Sequence, residues 1–74
     1  MIEVYTSNGG GPCHMVKAWL SSEGLEYEEY NVSTDMERLE ALTSMGYRST
    51  PVTVFDNITV VGYNPAKLEE AIST

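Results

Sequence analysis

The sequence predicts an α/β domain with the element order β-α-β-α-β-β-α, in which one four-stranded mixed sheet is flanked by helices. Three observations carry that prediction. The first half alternates strand-like and helix-like segments, which implies a right-handed parallel crossover between the first two strands. Pro51-Val52-Thr53-Val54-Phe55 and Ile58-Thr59-Val60-Val61 flank Asp56-Asn57, a two-residue turn pair suited to an antiparallel hairpin. A last helix-like segment opens at Pro65 and carries Leu68, Ala71 and Ile72. Helices on both faces of a mixed sheet bury these apolar faces economically.

Each element has a local reason. Ile2-Glu3-Val4-Tyr5 alternates as a strand does, and Ser7, Asn8, Gly9, Gly10, Gly11 and Pro12 end it in a loop. Met15, Ala18, Trp19 and Ser22 recur at helical spacing. Pro12 suits the first turn of that helix, where a missing amide hydrogen costs nothing, and Gly24 supplies its stop. Leu25 to Val32 is a strand of mixed exposure, with Glu23, Glu26, Glu28 and Glu29 on a solvated edge. Ser33 or Thr34 caps a second helix, with Glu37 as the returning partner of a capping box. Met36, Leu39, Leu42 and Met45 form its buried stripe, and Gly46 ends it. No repeat, linker or low-complexity tract divides the chain, so residues 1–74 are expected to form a single domain.

Composition narrows the function. Seventy-four residues allow one small core, and a domain of this size buries only about 60% of its unfolded surface. A single cysteine excludes an internal disulfide and any zinc site built on paired cysteines, and no metal is expected. No apolar run approaches the roughly 20 residues of a membrane span. Met1-Ile2-Glu3-Val4-Tyr5 lacks the basic end and apolar region of a signal peptide, so the expected compartment is the cytoplasm. The net charge of −7 repels nucleic acid and anionic lipid, and Lys17, Arg38, Arg48 and Lys67 are too scattered to make a basic stripe. That acidity serves solubility or steers the chain toward a positively charged protein partner.

Functional groups in such sheets gather where strands end and helices begin, which here is the loop from Ser7 to Cys13. Cys13 falls in the first helical turn, where the partial positive charge of the helix terminus stabilises a thiolate. From position alone it reads equally as a small buried hydrophobe. His14 follows it directly, but adjacent helix residues do not face each other, so His14 is read as exposed and without a role. Lys17, one turn further on, either favours a negative sulfur or pairs with the acidic surface.

Val4-Tyr5-Thr6, the Asn8 loop, Cys13-His14, Lys17, Gly24, Asn31-Val32, Gly46-Tyr47-Arg48, Thr50-Pro51-Val52 and Gly62-Tyr63-Asn64-Pro65 together resemble the glutaredoxin-like proteins, in particular NrdH-type redoxins. The resemblance runs over essentially the whole chain. It implies a thioredoxin-like fold, a cis peptide at Pro51, and a groove in which Thr50 offers its backbone to an extended substrate segment. By the same resemblance Tyr5, Pro12, Thr50, Pro51, Gly62 and Tyr63 are the substrate-binding positions. The implied chemistry is thiol-disulfide exchange without a cofactor. The first cysteine of C-x-x-C attacks a protein disulfide, and the second resolves the mixed disulfide.

Here the motif reads Gly10-Gly11-Pro12-Cys13. Counted forward from Tyr5 and back from Lys17, Cys13 takes the resolving position, and Gly10 is an empty nucleophile position. Three consecutive glycines are expected to loosen the loop and uncover Cys13. Gly62-Tyr63-Asn64-Pro65 lacks the second glycine and the acid that resemble a glutathione carboxylate site, so glutathione binding is not expected. The implied partners are a protein disulfide, such as that of ribonucleotide reductase, and thioredoxin reductase as reductant. Val60 stands where such members often carry a tryptophan. A monomer is expected. Two functions follow: a redox protein impaired at Gly10, or a non-catalytic module that grips an extended partner segment at the proline groove.

Overall fold

The computed structural model describes residues 1–73. Its elements are β1 (Ile2–Thr6), α1 (Gly11–Ser22), β2 (Tyr27–Asn31), α2 (Met36–Ser44), β3 (Val52–Val54), β4 (Thr59–Val61) and α3 (Pro65–Ser73). The strands lie side by side in the order β2-β1-β3-β4. β1 and β2 are parallel with Tyr5 opposite Tyr30, and β3 runs antiparallel to both β1 and β4. Phe55 N donates to the Ile58 carbonyl at 2.8 Å and closes the hairpin around Asp56-Asn57. The element order and mixed sheet are those the sequence predicts.

Strand alternation divides the core in two. On one face Val4 and Val60 meet Val16 and Leu20 of α1 together with Leu68 and Ala71 of α3. On the other, Tyr5 and Val52 meet Leu42 of α2 and Val32 just after β2. The central strands therefore carry apolar residues toward both faces, as buried strands of such sheets must. Thr53 on β3 is fully buried, and its hydroxyl finds no hydrogen-bond partner among the described residues. No helix among the described residues is long and apolar enough to cross a membrane.

Three local expectations are corrected. The buried stripe of α1 is Cys13, Val16 and Leu20, offset from the expected Met15, Ala18, Trp19 and Ser22; Met15 is 47% exposed. A stripe at three- and four-residue spacing can be drawn through either set, and packing in the core with Val4, Leu68 and Ala71 buries Val16 and Leu20. The cap of α2 is Asp35, whose Oδ1 accepts from Arg38 N at 3.2 Å. Thr34 is instead occupied in the preceding turn, its hydroxyl donating to the Asn31 carbonyl, and Ser33 accepts from Asn8. In α2 only Leu42 is buried and Leu39 half-buried, while Met36 and Met45 face solvent. A helix of two and a half turns against one sheet face needs fewer apolar positions than the pattern offers.

Candidate functional site

The loop between β1 and α1 is fastened on both sides. Gly9 turns it with φ +74°, a left-handed conformation that glycine adopts without strain. The hydroxyls of Ser7 and Thr50 meet at 2.6 Å, tying the loop to the segment before β3. Asn8 N donates to Ser33 Oγ at 3.0 Å, and Asn31 Nδ2 donates to Asn8 Oδ1 at 2.8 Å, tying it to the segment after β2. Both ends of an otherwise glycine-rich loop are thus held by hydroxyl and amide side chains.

Gly10 is the N-cap of α1, with φ −84° and ψ 106°. Any residue can adopt that extended conformation, so the backbone does not demand glycine here. Space is the constraint. A Cβ at position 10 would stand 2.7 Å from Cys13 Sγ and 3.3 Å from Cys13 Cβ. Disulfide-linked cysteines hold their Cβ atoms about 3.5–4.5 Å apart, so positions 10 and 13 are within a small shift of bonding geometry. The His14 amide closes the first turn on the Gly10 carbonyl at 3.2 Å.

Cys13 itself is 3% exposed. The expectation that the glycines uncover it is therefore corrected: the fastened loop covers the sulfur even without a side chain at position 10.

Five of the six substrate-binding positions drawn from the resemblance share one groove. Pro12, Thr50, Pro51, Gly62 and Tyr63 line a concavity of about 820 Å³. The Thr50-Pro51 peptide is cis. Gly62 N donates to the Pro51 carbonyl at 2.8 Å and joins the two walls. Tyr5 does not belong to this groove. It is 4% exposed, and its ring packs in the α2-side core with its centroid 5.4 Å from that of Tyr30. The resemblance places it at the site, but strand alternation along β1 sends it to the opposite face from Val4. Conversely, His14 and Met15 line the groove. Helical spacing puts Met15 in the expected buried stripe and His14 is read as without a role, so neither is expected in the groove from the sequence.

A second concavity, of about 360 Å³, opens on the β2 side of Cys13 and includes Thr6, Lys17 and Glu29. Glu29 Oε2 accepts from Thr6 Oγ1 at 2.8 Å and from Lys17 Nζ at 3.0 Å. The hydrogen bond from Lys17, reinforced by Thr6, holds the Glu29 carboxyl below its ordinary range against a partial loss of hydration. The same bond to Glu29 raises the ammonium of Lys17. Glu29 thus lies on the exposed edge strand, as expected, and is engaged there by two donors.

A mixed sheet in the order β2-β1-β3-β4, with a cysteine in the first turn after β1 and a cis-proline before β3, defines a redoxin of the thioredoxin fold. The chain belongs to the glutaredoxin family, whose model, described as Glutaredoxin, matches residues 2–60, and within it to the NrdH-type redoxins. It is similar to the glutaredoxin-like protein NrdH of Lactococcus lactis subsp. lactis, at 35% identity over 68 residues that make up 92% of this chain and 94% of that one. The protein of the same name from Escherichia coli is 33% identical over 64 residues, 86% of this chain and 79% of its own length. Among solved structures, the NrdH-redoxin from Escherichia coli superposes with a TM-score of 0.87 at 30% identity, covering 93% of this chain and 91% of that one.

Proposed function

We propose that this chain is a thiol-disulfide redox protein acting on a protein disulfide, such as that of ribonucleotide reductase, and that its two-cysteine cycle is interrupted at Gly10. The observation that carries the reading is the 2.7 Å between a Cβ at position 10 and Cys13 Sγ. It supports position 10 as the seat of the attacking thiol and Cys13 as the resolving one. With that seat empty, exchange runs in single-thiol form. The Cys13 thiolate attacks one sulfur of a target disulfide, a mixed disulfide forms, and the other sulfur leaves as thiolate. Release of the target then needs a second thiol from another molecule, which attacks the mixed disulfide and takes up the bond. The buried position of the sulfur slows the attack.

The intact groove and the covered thiol favour a second reading, in which the chain grips an extended segment at Thr50-Pro51 without chemistry. Thioredoxin reductase is the reductant the family resemblance supports for a restored pair of cysteines. Glutathione is disfavoured, because Asn64 caps α3 with its own Oδ1, accepting from Lys67 N at 3.3 Å where the tripeptide's carboxylate would need an open helix terminus.

A disulfide-reductase assay tests the reading. Gly10→Cys is expected to turn over a model disulfide while the unmodified chain stays near background. A folded but inactive Gly10→Cys variant would overturn it. Alkylation of Cys13 against pH separates the two functions. A rate that reaches half its plateau well below about pH 8.5 supports redox chemistry, and an inert thiol supports the binding module.

A further inference from the structure

Lys17 lies four residues after Cys13 on α1, so the two side chains share a helix face and border the same pocket. A lysine in that relation would put a positive field on the sulfur. Here the ammonium is instead taken up by Glu29, reaching across from β2 at 3.0 Å. Thr6, 2% exposed on the central strand β1, fixes the receiving oxygen from beneath at 2.8 Å. One carboxylate oxygen thus serves two donors, one of them anchored in the sheet.

We propose that Glu29 is a positioning residue for the Cys13 thiol. By holding Lys17 in an ion pair beside the sulfur, it cancels the lysine's field there, and removing its charge activates the thiol. The inference rests on the reading of Cys13 as the redox group. The signs are independent of fine geometry. A carboxylate near a thiol opposes the thiolate, an ammonium favours it, and the loss of the carboxylate alone leaves the ammonium uncompensated. Besides Lys17 and Glu29, the one other charged or titratable side chain lining the Cys13 pocket among the described residues is His14 on α1; Tyr27 on β2 acts on Lys17, and Tyr63 lines the neighbouring groove. β1 contributes only the uncharged Thr6 to the pocket, and the Thr50-Pro51 segment contributes no titratable side chain to the groove.

The test compares the full chain with Glu29→Gln, Lys17→Met and the double variant, following the ¹³Cβ chemical shift of Cys13 against pH. This signal reports ionisation whether or not the sulfur can be reached. For Glu29→Gln the midpoint should fall enough to give about three- to tenfold more thiolate at pH 7. Lys17→Met should move it the other way, and the double variant should return close to the unmodified chain. An unchanged or raised midpoint in Glu29→Gln would overturn the proposal, as would a double variant that keeps the whole effect of Glu29→Gln. Iodoacetamide alkylation of the same four proteins reports on the redox reading separately. A thiol that ionises as expected but never reacts sinks that reading and leaves the role of Glu29 standing.

Discussion

Gly10 and Cys13 stand so close that a Cβ on the first would lie 2.7 Å from the sulfur of the second. Real side chains do not approach so closely, so any residue larger than glycine at position 10 requires the sulfur to turn away or to bond. For an alanine the only response is displacement. Gly10→Ala should destabilise the domain by about 1–2 kcal/mol, in the range of other overpacking substitutions, and should expose the Cys13 thiol. In a Cys13→Ala background the same substitution should cost markedly less, because the colliding atom is gone. A double-mutant cycle by chemical denaturation checks this, and additive costs would refute the contact.

The cover over Cys13 depends on the 2.6 Å contact between Ser7 and Thr50 hydroxyls. Ser7→Ala and Thr50→Val each release one end of the loop while leaving α1 and the sheet intact. Local opening then becomes easier, and alkylation of Cys13 should accelerate by about threefold or more at fixed pH. Equal rates in the variants and the unmodified chain would mean that the sulfur is reached by another route.

Thr53 points into the core formed by Val4, Val60 and the helices α1 and α3, with a hydroxyl that no described residue satisfies. A buried hydroxyl without a partner costs desolvation that a methyl of the same shape does not. Thr53→Val should therefore be neutral or stabilising, by up to about 1 kcal/mol, with a raised thermal midpoint. A clear loss of stability would show that the hydroxyl is engaged.

The Lys17–Glu29 pair sets a pH dependence whose sign follows from its two shifts. Glu29 titrates lower in the folded chain than unfolded, so its contribution is present above the carboxylate range and is lost as the pH falls through its folded value. Lys17 titrates higher when folded, so its contribution is complete below the ordinary lysine value and is lost only as the pH rises through the raised one. Both side chains are about one-third exposed, at 31% and 36%, so the pair is screened and contributes under about 1 kcal/mol. Glu29→Gln should be slightly less stable than the unmodified chain at neutral pH, and the difference should close below about pH 4. Denaturation midpoints at the two pH values measure it.

The sequence made the order of elements legible because punctuation did. Pro12, Gly24, Gly46, Asp56-Asn57 and Pro65 each bound an element in the structure as they do in the chain. Which face each element buries was less legible. In α1 two stripes compete, and packing in the core with Val4 buries Val16 and Leu20 and part of Trp19 while leaving Met15 exposed. The resemblance assigns Tyr5 to the site, whereas the two-residue period of β1 turns it into the core. The reading of Gly10 as an empty seat comes from the family resemblance, with the register counted from Tyr5 and Lys17. The fastening of its loop was not legible, since Ser7–Thr50 and Asn8–Asn31 pair residues far apart in the chain that only the fold brings together.

The most direct measurement is the state of Gly10→Cys after equilibration in an oxidised and reduced glutathione buffer, read by intact mass after trapping free thiols. The structure predicts a single species that has lost two hydrogens and carries no trapped thiol, the mark of an internal bond between the introduced sulfur and Cys13. A folded variant that gives only glutathione adducts or linked dimers would contradict the pairing of positions 10 and 13.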